Sequence, residues 1–334
     1  RVKISEPLGE DELQRLRADA ALQYDQQTRG ILHLYSSPAE LDRARRHADG
    51  IRALGIDRAI KTRDECIAIE PALADAAERI AGGDYSASDE SGDARKFTQA
   101  LARRAVAFGV TFHYGRTIRR LERDGDRIAA VIAAGAQGDE EAHAADAYVL
   151  ALGSYSPLLV RPLGFSLPVY PVKGYSITLP LAPGDVAPTV SITDEAHKIV
   201  FSRLGDRLRA AGTAELNGYD TTLNAVRCEA ILRRAAELFP RAGDPGRAER
   251  WTGLRPATPS NVPIIGRSPL RNLYLDTGHG TLGWTLACGS GRAIADIVSG
   301  VTPEVEFPFA GLREMPPRPP TRPTPRTREK QPAE

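Results

Sequence analysis

The sequence is poor in sulfur, in aromatic rings and in unbroken apolar stretches, and its charge is balanced. Only three of its 334 residues are cysteine, Cys66, Cys228 and Cys288. They show no paired spacing and no histidine at a ligand interval, which argues against a disulfide framework or a zinc site and for a reducing, cytoplasmic setting. The longest apolar stretch, Tyr148 to Val160, is interrupted by Gly153, Ser154, Ser156 and Pro157, so it falls short of the ~20 residues a membrane span needs. Lys plus Arg number 44 and Asp plus Glu 43; this balance gives no electrostatic reason to bind nucleic acid. The first residue is Arg1, with no charged-then-apolar signal pattern behind it, and the start of a longer protein is expected to be absent.

What is present is enough apolar sequence, 42%, to bury one or two cores. Residues 1–9 read as a leader before a helix at Glu10–Tyr24, and a strand follows at Ile31–Tyr35. Ser37-Pro38-Ala39-Glu40 has the spacing of a helix-capping box with proline at the first helical position. Another helix start stands at Thr62–Cys66 and a turn at Glu70-Pro71. The polar loop Ser86–Asp93 should cap a helix over Ala94–Phe108, followed by a buried strand at Val110–Tyr114. Asp124-Gly125-Asp126 joins two alternating segments, Thr117–Arg123 and Arg127–Ala134, as a hairpin. Ala147–Leu152 is continuously apolar, which predicts burial on both faces.

From Leu167 to Leu216 the pattern becomes short strands without helices between them: Leu167–Val172, Tyr175–Leu181, Thr189–Thr193, Lys198–Arg203 and Arg207–Ala214. That style marks an antiparallel or mixed sheet. A helix over Thr222–Phe239 closes it. The earlier style then returns with a buried strand at Leu273–Thr277, a glycine-rich turn at Gly278–Gly283 and a helix at Thr285–Val298. Residues 308–334 hold eight prolines and read as a disordered Pro/Arg-rich tail.

Three segments could carry chemistry. In LYLDTGHGTLGWTLACGSG a strand, a glycine-rich turn and a helix can offer backbone N–H groups to an anion or to the electron-rich edge of a ring; an ordinary βα turn is equally compatible. In WTGLRPATPSNVPIIG, prolines fix the backbone around Arg255, whose guanidinium fork suits a carboxylate, although an arginine paired across a domain seam has the same spacing. ALGSYS at 151–156 is a second strand ending in a glycine turn.

Together with YDQQTRGILHLY, EPAL at 70–73, SDESGD, KFTQALA, PVYPVKGYSITLP, DEAHKI at 194–199 and PIIGR, these segments resemble the FAD-dependent amino-acid oxidoreductases of the D-amino-acid oxidase type. The likeness is greatest to the bacterial D-amino acid dehydrogenase branch (small subunit) and runs from about Gln23 to Gly300. It implies an α/β fold in which an FAD-binding Rossmann-like domain (92–164 and 251–300), incomplete at its N-terminus, is interleaved with a mixed-sheet substrate domain (30–91 and 165–250), after a leader and helix at 1–29. The family's opening strand, G-x-G-x-x-G turn and helix do not begin this chain, so FAD held by these residues alone is expected to be held weakly. The resemblance implies oxidation of a D-amino acid, D-alanine foremost, to a 2-oxo acid and ammonia, with electrons passed to a membrane-associated respiratory acceptor and a peripheral position at the inner face of the cell membrane. By the same resemblance Arg255 would bind the substrate carboxylate and the carbonyl of Thr281 would accept from its amine. Gly153, Ser154, Gly278, His279, Gly280, Leu282, Gly283 and Thr285 would contact FAD, with Lys173 and Tyr175 on the substrate side. A glycine- or sarcosine-type oxidase, and a remnant unable to hold FAD, are the alternatives.

Overall fold

The computed structural model describes residues 6–52 and 58–304. Helix α1 (Glu6–Ala20) begins inside the stretch expected to be leader. β1 (Ile31–Tyr35) leads to α2 (Pro38–Arg52). The capping box forms as its spacing predicts: Glu40 N donates to Ser37 Oγ (3.3 Å) and Ser37 N to Glu40 Oε2 (3.2 Å). After β2 (Ala59–Thr62), Thr62 and Glu65 build a second box at the start of α3 (Arg63–Ile69). A 3-10 segment over Pro71–Arg79 and β3 (Gly82–Ser86) follow. Asp93 caps α4 (Ala94–Val106), accepting from the backbone of Arg95 and Lys96.

β4 (Thr117–Asp124), β5 (Arg127–Ala134) and β6 (Glu140–His143) form a separate three-stranded antiparallel sheet. Next come β7 (Tyr148–Leu150), α5 (Ser156–Val160), β8 (Tyr170–Pro180), β9 (Ser191–Asp194), β10 (Ile199–Leu204) and β11 (Arg207–Glu215). The chain continues through α6 (Ala225–Leu238), β12 (Glu249–Ala257), β13 (Ile264–Arg267), β14 (Leu273–Thr277) and α7 (Gly283–Val298).

The fold is mixed α/β. Its dominant layer is an eight-stranded sheet in the order β12-β8-β11-β10-β9-β1-β3-β2, antiparallel except where β1 runs parallel to β9. Alternation along these strands gives the sheet two unlike faces. Leu32, Leu34, Tyr175, Ile177, Ile192, Phe201, Leu208 and Ala210 point to one, where Ile231 and Leu232 of α6 and Leu73 complete the main core. A small sheet, β13-β14-β7, pairs β14 parallel to β7 and carries α7 against it through Ile265, Tyr274, Ala293 and Ile294.

Four expectations need correction. Val110–Tyr114 is not a buried strand: it is irregular, with Val110 46% and Tyr114 76% exposed, because no described strand pairs with it. β7 is buried on alternate residues only, Val149 lying open between Tyr148 and Leu150. The two strands expected at Leu167–Val172 and Tyr175–Leu181 form one, since β12 pairs along β8 from Tyr170 to Thr178 straight through Gly174. For the same reason a boundary at 251 divides a strand, and Arg255 stands on the large sheet. The proline-rich tail at 308–334 lies outside the described residues.

Candidate active site

The three segments singled out in the sequence meet at one place. Gly153, at φ 54°, turns the chain after β7. Its carbonyl accepts from Thr277 Oγ1 at the end of β14 (3.1 Å), and Ser156 Oγ donates to the same threonine hydroxyl (3.2 Å). Ser154 Oγ donates to the carbonyl of Leu254 (3.4 Å), while Tyr219 Oη donates to the carbonyl of Ser154 (2.9 Å). On the other side Gly280 N donates to the carbonyl of Pro256 (2.9 Å). The ends of β7, β12 and β14 are thus joined by hydrogen bonds around a single junction.

Arg255 reaches back from the end of β12 across β8. A Cβ on Gly174 would overlap its guanidinium carbon and both terminal nitrogens, so only glycine leaves room for the side chain there. Arg255 Nη1 donates to the carbonyl of Thr213 (2.9 Å). That carbonyl is turned out by an irregularity in β11, where Thr213 holds φ 67° and the pairing to β8 shifts between Gly212 and Glu215, a strained geometry of the kind stored at ligand sites. The other guanidinium N–H groups have no partner among the described residues. Burial lowers the Arg255 pKa, which says that the cation is desolvated without a counter-charge.

A second arginine shares this face. Arg209 pairs opposite Thr178 of β8, and Gly174 pairs opposite Gly253, so Arg209 and Arg255 project from the same side of the sheet, away from the main core. The Arg209 side chain has no hydrogen bond or ion pair among the described residues; burial, and then Arg255 itself, lower its pKa. The sequence reading missed it, although the alternation Arg207-Leu208-Arg209-Ala210 marks it as the polar face of a half-buried strand.

Lys173 and Tyr175 stand apart from this cluster, on the opposite face of β8. Tyr175 Oη donates to Glu215 Oε2 (2.5 Å), and Lys173 Nζ lies 3.5 Å from Asp220 Oδ2 and 4.0 Å from Glu215 Oε2. Burial works against the Lys173 charge, but Tyr175, Asp220 and Glu215 more than offset it and raise the pKa.

The glycine-rich turn has the G-x-G-x-x-G spacing at 278–283, between β14 and α7. Gly278 (φ 82°) and Gly280 (φ 55°) use left-handed backbone that other residues resist; a Cβ on Gly278 would also press Thr258 Cγ2 at 2.7 Å. His279 is held in the turn, its Nε2 2.9 Å from Ser290 Oγ, and burial lowers its pKa. Thr281, Leu282 and Thr285 are exposed at the mouth of the turn. Leu282 has no side-chain cap to offer α7, so N–H groups of the first helical turn remain available.

These residues fit a flat, electron-rich ring system. Leu152, Tyr155 and Leu282 expose 41%, 50% and 47% of their surface around the junction, and uncapped N–H groups stand beside them. Asp276 adds a buried Oδ1 just inside the turn that accepts no hydrogen bond and lies 3.4 Å from His279 Nε2.

The chain belongs to the FAD dependent oxidoreductase family, whose model matches residues 4–297. Within that family it is 56% identical over 297 residues to D-amino acid dehydrogenase of Dechloromonas aromatica, covering 89% of this chain and 71% of that one. It is 54% identical over 300 residues to D-amino acid dehydrogenase of Paramagnetospirillum magneticum, covering 90% and 70% respectively. Among solved structures it resembles glycine oxidase from Geobacillus kaustophilus with a TM-score of 0.79 and 26% identity, over 92% of this chain and 83% of the other. Among the described residues no helix is long and apolar enough to cross a membrane.

Proposed function

We propose that the protein oxidises D-amino acids at Cα, D-alanine foremost, as an FAD-dependent D-amino acid dehydrogenase. The observation that carries this reading is the Arg255 guanidinium, desolvated over Gly174 at the junction of three turns, with part of its donor fork free. Two named relatives above 50% identity support the substrate class. Arg255 holds the substrate carboxylate, where a bidentate contact fixes orientation as well as charge. Arg209 adds positive potential along the same face. The carbonyl of Thr281 accepts from the amine, so that two substituents of Cα, carboxylate and amine, are held and its hydrogen is oriented by them. Gly153, Ser154, Gly278, Gly280, Leu282, Gly283 and Thr285 hold the cofactor, with His279 keeping the turn in shape. FAD supplies the two-electron acceptor when bound. N–H groups at the start of α7 stabilise negative charge beside it. Water then converts the imine product to a 2-oxo acid and ammonia. Onward transfer to a membrane-associated respiratory acceptor, with the protein peripheral at the inner face of the cell membrane, completes the reading.

The test is anaerobic reduction of the flavin-loaded enzyme. D-alanine should bleach the oxidised flavin band, L-alanine should not, and a quinone analogue should restore the band faster than oxygen does. The resemblance to glycine oxidase carries a second reading; bleaching by glycine or sarcosine ahead of D-alanine, with reoxidation by oxygen, would establish it instead. Failure of the full-length protein to retain FAD would favour a remnant without redox activity.

A further inference from the structure

The two arginines on the face of the large sheet away from the main core differ in what already meets them. Arg255 spends part of its fork on the carbonyl of Thr213. The Arg209 side chain is half-buried and makes no hydrogen bond or ion pair among the described residues, so water meets it only in part and the chain does not meet it at all. The acids nearby are taken. Asp93, the one acid that acts on Arg209, accepts from Arg207 Nη2 (2.7 Å) and from the backbone of Arg95 and Lys96. Asp25 accepts from Lys96 Nζ (2.6 Å). Arg207 and Lys96 thus balance Asp93 and Asp25, which leaves Arg209 and Arg255 as surplus positive charge. Glu249 stands in the same row as Arg209, across Thr178, but it is exposed and forms no ion pair with Arg209. Glu215 and Asp220 serve Lys173.

Between the two arginines the face leaves room for a short carbon chain. The Arg255 guanidinium covers Gly174, and Arg209 stands opposite Thr178. These rows are four residues apart along β8, roughly 13 Å at about 3.3 Å per residue, and the side chains bring the two charges nearer than that, since Arg255 acts on the Arg209 pKa. The row between them holds Ser176 and Ala211, both small. Two open apolar groups flank it. Trp251, 56% exposed, pairs opposite Ser176 and lays its ring over Gly253. Val200, 39% exposed, pairs opposite Ala211. A low floor with apolar flanks therefore runs from one cation to the other.

We infer that the site also takes acidic D-amino acids of the size of D-glutamate, and that Arg209 is the residue that reads the side-chain carboxylate. This rests on the proposed oxidation at Cα and extends its substrates. The α-carboxylate meets Arg255, the methylenes cross Ser176 and Ala211 beside Trp251, and the second carboxylate accepts from Arg209. Two charge-assisted contacts of about 2.8 Å and the carbon chain of glutamate together bridge a gap of this order, whereas alanine leaves Arg209 unmet. The reaction is unchanged: the Cα hydrogen leaves with its electron pair to FAD, the amine loses a proton, and water releases ammonia to give a 2-oxo diacid.

D-Glutamate and D-glutamine, alike in size and different by one charge, provide the test in the flavin-loaded enzyme. Their kcat/KM values should favour D-glutamate at least about tenfold. Arg209→Gln should lower kcat/KM for D-glutamate about ten- to hundredfold more than for D-glutamine or D-alanine, the range expected when one charged hydrogen-bonding partner is removed. Arg209→Lys should recover part of that difference, because the charge returns without the fork. Calorimetric titration reads binding apart from turnover: glutarate, which has two carboxylates and no amine to oxidise, should bind about tenfold or more weakly to Arg209→Gln, and glutaramate, with an amide at one end, should lose less. Equal kcat/KM for D-glutamate and D-glutamine in the unaltered enzyme overturns the inference. So does an equal fall for all three substrates in Arg209→Gln, which would place Arg209 on the carboxylate they share. Both of these leave oxidation of D-alanine standing; a flavin that no D-amino acid reduces would overturn the proposed oxidation itself, and the inference with it.

Discussion

Arg255 and Gly174 act as a pair, one supplying the guanidinium and the other the space it occupies. Removing Arg255 leaves a substrate carboxylate in a desolvated site without its partner, so Arg255→Ala should cost roughly 2–5 kcal/mol of transition-state binding. Arg255→Lys should recover part of it, since an ammonium keeps the charge and loses the fork. Gly174→Ala should reproduce much of the Arg255→Ala defect without touching the charge, because the new methyl group pushes the guanidinium away. Steady-state kinetics with D-alanine, beside flavin content, checks both; a Gly174→Ala enzyme with wild-type kcat/KM would show that Arg255 is not held where the substrate binds. Asp276 carries a prediction of pH dependence. Burial raises its pKa to about 6, above the value of about 3.9 for an unfolded aspartate. Below pH 4 the group is protonated in both states. As pH rises from about 4 to 6 the unfolded chain releases this proton first, so stability falls, and above 6 the full loss of roughly 3 kcal/mol is reached. Asp276→Asn should therefore leave unfolding near pH 4 unchanged and stabilise the protein at pH 8, as chemical denaturation at the two pH values will show. Arg255 and the glycine turns were legible in the sequence because glycine and proline punctuate the chain visibly. Arg209 and Gly174 were not, since their meaning depends on which strand lies beside β8, and register is a long-range fact.

At the scale of elements, helix starts were the most legible feature. Ser37, Thr62 and Asp93 each cap the helix that their spacing announced, because a cap is satisfied within three or four residues of itself. Strand burial was less legible. An apolar run such as Val110–Tyr114 or Ala147–Leu152 becomes a buried strand only where neighbours cover both faces, and local sequence does not report that. Glu70 shows the same limit. It reads as a turn residue before Pro71, yet it is 2% exposed and its carboxylate accepts from Ala72 N (3.0 Å), Thr189 N (2.6 Å) and Val190 N (2.9 Å). It thereby ties the 3-10 segment to the approach of β9. Glu70→Ala would orphan the buried N–H groups of Ala72 and Val190 and the half-buried one of Thr189, and at about 1–3 kcal/mol for each buried group left unmet a loss of at least about 2 kcal/mol is expected. Glu70→Gln should cost less, because one amide oxygen still accepts. Urea denaturation of the two variants gives the comparison, and equal stabilities would show that the carboxylate is not what secures this seam.

At the scale of the whole molecule, the large sheet and the small sheet are separate hydrogen-bonded layers whose closest ties lie where the chemistry is proposed. Ser154 to Leu254 and Gly280 to Pro256 tie the turns after β7 and β14 to β12, and Thr277 to Gly153 ties those two turns to each other; no comparable set of bonds among the described residues joins the two sheets elsewhere. A ligand that orders one of the turns must then order the others, since each supplies an acceptor or donor to its neighbour. Adding FAD to the flavin-depleted protein should raise its melting temperature and slow amide exchange together in Gly153–Ser156, Leu254–Ala257 and Thr277–Gly283, while exchange in β4, β5 and β6 stays unchanged. Thr277→Val, which deletes the hydroxyl shared by Gly153 and Ser156, should uncouple the response: the Gly278–Gly283 turn would still be protected by the cofactor and the Gly153 turn less so. Protection confined to one of the three segments in the unmutated protein would mean that the junction does not act as a unit. Equal protection of all three in Thr277→Val would locate the coupling in the cofactor rather than in the bonds of the Thr277 hydroxyl.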